Sequence, residues 1–156
     1  MEWLAPLGES IVARALTRSP TLYIFANASH ILSLAMLIGA SVILDLRLLG
    51  ALARLPLAET LSVLSRVAAM ALGFAVLTGA LLFSVRPLEY AANPAFLIKL
   101  LLVLLGTANA LAVHQSRGWR ALIAGAPATS PLRLAALASL LLWPAALLAG
   151  RWIGFL

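Results

Sequence analysis

Apolar residues run along this chain in four long blocks separated by short polar stretches. A bilayer core about 30 Å thick is crossed by a helix of on the order of 20 residues, each rising about 1.5 Å. Residues 21–44, 61–85, 94–115 and 131–150 meet that length. The first block carries no charge over that length, the second is interrupted only by Arg66 near one end, and Lys99 sits inside the third. Asn93-Pro94 and Ser130-Pro131 each read as an N-cap followed by a first-turn proline. Lipid leaves a backbone no other hydrogen-bond partner, so all four blocks are predicted as helices. A membrane barrel would need alternating strands, and the pattern holds none. The predicted fold class is an all-α integral membrane protein: a four-transmembrane-helix bundle over residues 20–156, with an N-terminal interfacial amphipathic helix over residues 1–19.

That first segment differs from the blocks. Glu2, Glu9, Arg14 and Arg18 make it a costly span, while Leu4, Leu7, Ile11 and Ala15 form an apolar edge at helical spacing. Arg14 and Arg18 lie near that edge and are expected to snorkel. A cleaved signal peptide is not expected, since Glu2 makes the first residues acidic and no apolar run precedes a cleavage site.

Short connections predict that consecutive spans are antiparallel neighbours. If the first span starts on side X of the membrane, Arg14, Arg18, Arg86 and Arg151 gather there, and Arg47, Arg54, Arg117, Arg120 and Arg133 gather on side Y. The excess of one arginine predicts that Y is cytoplasmic and that both termini lie on the opposite face of the membrane. Composition agrees with a membrane class: 63% of residues are hydrophobic and 10% charged, against about a quarter charged in soluble domains. Disordered and coiled-coil classes are excluded with the soluble ones. Without cysteine, disulfides, thiolate metal sites, iron-sulfur clusters and covalently attached c-type haem are also excluded. The net charge of +6 is scattered between apolar runs, so lipid headgroups of the bilayer, not nucleic acid, are the expected counter-charge.

Polar residues inside spans are costly and tend to face the bundle interior. Helical spacing puts Tyr23, Asn27, His30, Leu37 and Ser41 on one stripe of the first span, and Lys99, Val103, Gly106, Ala110, His114 and Arg117 on one stripe of the third, with Asn109 at its margin. In the second span, Ser65, Ala69 and Gly73, and separately Ala75 and Gly79, have the small-xxx-small spacing that lets backbones approach. His30 lies about 14 Å below side X, where an imidazole needs a hydrogen bond or a metal. It is either a neutral histidine bonded to a neighbouring helix or the axial ligand of a haem b iron. His114 and Met70, at about 30 and 24 Å below X, lie too deep to share that iron. The second axial position then stays open, comes from another protein, or comes from the same histidine across a homodimer axis.

Lys99, about 8 Å below X, forms with Arg86 and Arg151 a cationic rim suited either to haem propionates or to headgroups. Trp143 is a candidate to pack on a porphyrin face, beside an expected kink at Pro144. Trp152 reads as a belt residue. On side Y, Asp45 and Arg66 lie at similar depth and are expected to pair, which would explain a charge within the second span.

His30-Ile-Leu-Ser-Leu-Ala-Met-Leu-Ile-Gly39, running on to Asp45-Leu-Arg-Leu-Leu-Gly50, and Phe96-Leu-Ile-Lys99 with the leucine-rich run after it, resemble a superfamily of small bacterial four-helix membrane proteins. It includes the copper-resistance D-type proteins and the flavin-independent membrane protoporphyrinogen oxidase. The resemblance implies that His30 is the haem or porphyrin-site histidine and Lys99 a second functional residue. The chain departs from it at Asp45-Leu46-Arg47, where the oxidase carries a Pro-Arg pair, and in having too few soft ligands for copper. Three functions follow as expectations. The first is a b-type haem-binding electron-transfer subunit of a larger redox assembly, with His30, Lys99, Arg86 and Trp143 at the cofactor. The second is a protoporphyrinogen oxidase-like enzyme. The third is a non-catalytic membrane subunit or small transporter with Asp45, Arg66 and His114 along a polar path.

Overall fold

The computed structural model describes residues 2–155, and every regular element among them is helical. A 3-10 turn, Glu2–Leu4, leads into α1 (Ala5–Gly8) and α2 (Ile11–Arg18). The long helices are α3 (Pro20–Leu49), α4 (Leu57–Val85), α6 (Pro94–Gln115) and α8 (Ser130–Trp152). Two short helices fill the connections, α5 (Pro87–Ala92) and α7 (Arg117–Ile123), and a 3-10 turn, Ile153–Phe155, follows α8. The four long helices are each long and apolar enough to cross a membrane, with an 18-residue window of mean hydropathy of at least 1.9. The protein is an all-α membrane bundle.

Local chemistry sets the boundaries. Ser19 caps α3 by accepting from the Leu22 N–H, and Pro20 supplies the preset first turn. Asn93 caps α6 as its Asn-Pro pair predicts, its Oδ1 accepting from the Ala95 and Phe96 amides at 2.9 and 3.3 Å. The fourth span departs slightly from expectation: Thr129 holds the cap position, and Ser130 is already helical. Gly50 ends α3 at φ 93°, a left-handed turn that other residues resist. The first span is therefore longer than 21–44, because nothing stops the helix before that glycine. Pro144 lies inside α8, which continues through it with the Leu140 carbonyl short of one ladder bond.

The N-terminal segment is not one helix. Ser10 restarts it, its hydroxyl accepting from the Ala13 N–H at 3.2 Å. The restart shifts the helical phase, so the expected Leu4-Leu7-Ile11-Ala15 edge is not the buried one. Leu4, Ala13 and Leu16 are buried, whereas Ile11 is 89% exposed. α2 packs on α4 and α3, which docks the segment onto the side-X end of the bundle.

Neighbour relations also depart from chain order. α3 packs against α4 and α8, and α8 against α6, but α4 and α6 stay apart along their length although their connection is the tightest. α5 fills that connection, and Phe83 of α4 stacks on Phe96 of α6 across the separation, ring centroids 5.3 Å apart. Two apolar layers hold the bundle. The upper one comprises Leu37, Ala71 and Trp143. The lower one, toward side Y, gathers Leu44, Leu48, Leu61, Trp119, Leu122, Leu132 and Ala136.

Candidate functional site

His30 lies in α3, Thr78 and Gly79 near the end of α4, and Lys99 in the second turn of α6. Measured along their helices from side X, these positions are about 15, 10 and 8 Å deep, within side-chain reach of one level. His30 Nδ1 is 3.0 Å from Thr78 Oγ1. The Thr78 hydroxyl donates its single proton to the Phe74 carbonyl at 2.6 Å, so in the imidazole bond it accepts, and Nδ1 carries the hydrogen. This assigns the lone pair to Nε2. Lys99 Nζ stands 3.4 Å from that Nε2 and donates to it. One directed chain therefore runs from the Lys99 amine through the His30 ring and the Thr78 hydroxyl to a helix carbonyl.

Two glycines make the chain possible. A β-carbon at Gly79 would stand 3.1 Å from His30 Cε1, and one at Gly150 of α8 would stand 3.3 Å from Lys99 Cδ. The ring lies against the bare backbone of α4, and the lysine stem lies across that of α8. Above the pair, toward side X, the Phe83–Phe96 stack is joined by Tyr90 at 6.3 and 5.7 Å. Tyr23 faces the Tyr90 hydroxyl. Counted along α4 and α6, this aromatic cap lies between the Lys99–His30 contact and the side-X ends of the helices. Burial, with Tyr23 adding to it, raises the pKa of the Tyr90 hydroxyl above its ordinary value. Two open hollows also lie at side X. One, of about 450 Å³, is lined by residues including Tyr90, Asn93 and Ile153, and the other by residues including Gly8, Arg86 and Pro87; neither is lined by His30 or Lys99.

The structure joins His30 to Lys99 and gives the other candidates partners of their own. Arg86 is exposed and pairs with Glu89 at 3.2 Å. Arg151 lies over the Phe155 ring at 5.2 Å. Arg86 and Arg151 thus each have a partner other than Lys99. Trp143 is buried, its indole within 3.1–3.2 Å of where a Gly106 β-carbon would stand, so α6 covers one face of it. His114 is exposed at the side-Y end, with Nδ1 2.7 Å from the Ala110 carbonyl and its ring beside Trp119. Asn27 is exposed, and Ser33 takes the buried place on its stripe.

The expected Asp45–Arg66 pair does not form. Arg66 is exposed and its guanidinium turns back to the Ser62 hydroxyl and carbonyl, at 2.7 and 3.2 Å. Asp45 faces inward to α8 and is 4% exposed. Snorkelling toward side Y satisfies the arginine without a carboxylate. With Arg66 and His114 both outside, these residues and Asp45 line no polar path. Thr78, which anchors the ring, was not among the sequence candidates. Counted from Arg86 it lies about 12 Å below X, close to the depth of His30, and that arithmetic could have found it.

The profile of one protein family matches residues 14–156, which include all four long helices and the whole His30–Lys99 site. The chain belongs to DUF6644, a family of unknown function. No curated protein and no solved structure matches this DUF6644 chain.

Proposed function

We propose that this DUF6644 protein is a redox protein of the bacterial cytoplasmic membrane whose working centre is the His30–Lys99 pair, and that the pair moves protons as a porphyrinogen-type substrate is oxidised. The observation that carries this reading is the 3.4 Å contact between Lys99 Nζ and His30 Nε2, made while Thr78 holds the opposite ring nitrogen. Each two-electron oxidation of such a substrate releases two protons and two electrons. His30 Nε2 is oriented to accept a proton once Lys99 moves aside, and the lysine amine is the group placed to pass it on. The two electrons leave to a separate two-electron oxidant of quinone class in the same membrane. The resemblance of the His30 and Lys99 segments to the flavin-independent protoporphyrinogen oxidase group implies roles for this same histidine and lysine. The test is oxidation of a reduced porphyrin by membranes carrying the protein. His30→Ala and Lys99→Ala are each expected to lose at least tenfold in rate, and undiminished activity in Lys99→Ala rejects the reading.

One observation favours a second reading, haem b ligation. Thr78 fixes the tautomer that a ligating imidazole needs, with Nδ1–H anchored and Nε2 bearing the lone pair. The donor chemistry fits one axial bond. His30 would hold the iron and Lys99 would turn to a propionate, while Arg86 and Trp143 keep their own partners. A bound haem would supply one-electron transfer, and the second axial ligand would come from a homodimer partner or another subunit. This reading ranks second because both ring nitrogens already have partners within the chain. Absence of a Soret band in protein purified after haem-supplied expression removes it; a band that is lost in His30→Ala establishes it. Both readings keep side X, and with it both termini, in the periplasm.

A further inference from the structure

Asp45 presents a buried carboxylate oxygen, Oδ2, that has no hydrogen-bond partner among the described residues. Ser41 precedes it by one turn on the same face of α3, and Ser139 of α8 acts on its carboxyl; all three residues are buried. Neither serine hydroxyl donates to a helix carbonyl among the described residues, unlike those of Thr17, Ser33, Thr78 and Thr107, which bond back one turn. The three residues form a polar patch at the upper edge of the side-Y apolar layer. On α3, Ser41 lies between Leu37 and Leu44 and Asp45 between Leu44 and Leu48, while Ser139 lies between Trp143 and Ala136 on α8.

No positive side chain of the packed elements faces this layer. Arg66 of α4 is taken by Ser62, and Arg47 of α3 donates to the Leu55 carbonyl. Arg133 of α8, His114 of α6, and Arg117 and Arg120 of α7 are exposed, as is Glu59 of α4. A carboxylate taken from water without a partner costs several kcal/mol, so a stable fold needs positive charge at Oδ2. The donor set is one carboxylate and two hydroxyls, hard oxygens with a single negative charge. No group of three or more histidine, cysteine or acidic side chains exists among the described residues. Such a set matches a monovalent cation, not a divalent or transition metal.

We propose that Ser41, Asp45 and Ser139 form a binding site for a small monovalent cation, a proton or sodium ion, on the side-Y half of the bundle. The site stands apart from His30 and Lys99 and does not depend on the redox reading. The Leu37–Ala71–Trp143 layer lies between them, so the cation serves the α3–α8 contact and is not part of a path across the membrane.

Thermal melting of the detergent-solubilised full chain tests the site in two arms. In one, sodium chloride replaces choline chloride at fixed pH and ionic strength; in the other, pH varies in choline chloride. Sodium binding predicts a melting temperature that rises with sodium in the native protein and stays flat in Asp45→Asn. Proton binding predicts no sodium response, and a pH dependence from which subtracting the Asp45→Asn profile leaves one titration. Native and Asp45→Asn profiles that run parallel in both arms overturn the proposal. If Asp45→Asn does not fold, Ser139→Ala is read instead: a response midpoint moved at least threefold in cation concentration supports the site, and an unmoved midpoint overturns it.

Discussion

His30 and Gly79 face each other so closely that a β-carbon at position 79 would stand 3.1 Å from the ring's Cε1. An imidazole is rigid and its Nδ1–H is held by Thr78, so the ring cannot yield without losing that bond. Gly79→Ala adds about 1 kcal/mol of helix propensity and sets it against about 1–3 kcal/mol of overpacking. The protein is expected to fold with a small net loss of stability while the ring leaves Thr78. Nitrogen NMR of labelled histidine reads this directly as loss of the single Nδ1–H tautomer at His30, and an unchanged tautomer contradicts the packing described.

Gly150 sets a contrast. A β-carbon there would meet Lys99 Cδ at 3.3 Å, but a lysine stem has rotamers to spare and gives way. Gly150→Ala is expected to cost under about 1 kcal/mol while moving Nζ off His30 Nε2. Porphyrin oxidation in this variant should fall toward the Lys99→Ala level although melting is nearly native. A variant that melts natively and reacts at the native rate would show that the 3.4 Å contact is not what the reaction uses.

Much of this was legible in the amino-acid order, and the reason is lipid. A helix that must bury its backbone polar groups within itself leaves long uncharged runs, and Asn93-Pro94 marks the start of α6 through a cap that needs only its own side chain. Depth along each helix was legible too: it puts Lys99 about 6 Å nearer side X than His30, a difference that a lysine side chain spans. What lies around a helix axis was harder to read. The expected pairing of Asp45 with Arg66 rested on equal depth, but the two point to different faces, one into α8 and one back to Ser62. The restart at Ser10 changed the N-terminal phase for a similar reason, since one cap rotates every later residue about the axis. The separation of α4 from α6 depends on packing between non-consecutive helices, which short connections do not encode.

Arg66 offers a test of that correction by magnitude. Breaking a buried ion pair costs about 3–5 kcal/mol because a charge is left unpaired, whereas an exposed substitution usually changes stability by less than about 0.5 kcal/mol. With its guanidinium on Ser62 and its side chain exposed, Arg66→Ala is expected to fall in the second class. Chemical denaturation in mixed micelles distinguishes the two, and a loss above about 2 kcal/mol would restore the pairing with Asp45.

Tyr90 gives the aromatic cap a pH signature. Its hydroxyl is pushed above the ordinary tyrosine value by burial first and by Tyr23 second, with Arg86 pulling the other way. An unfolded tyrosine loses its proton at about pH 10, while the folded one still holds it there. Below that pH both states are protonated and the stabilisation is fully present; as pH rises through the folded value it is lost, because the unfolded state releases its proton first. The melting temperature is therefore expected to fall more steeply between about pH 9 and 11 in the native protein than in Tyr90→Phe, which keeps the ring on Phe83 and Phe96 but has nothing to ionise. The hydroxyl is only half-buried, so the difference should be small and best seen as a difference of slopes. Equal slopes in the two proteins would mean that water reaches the hydroxyl freely and that the cap does not seal the His30–Lys99 contact from side X.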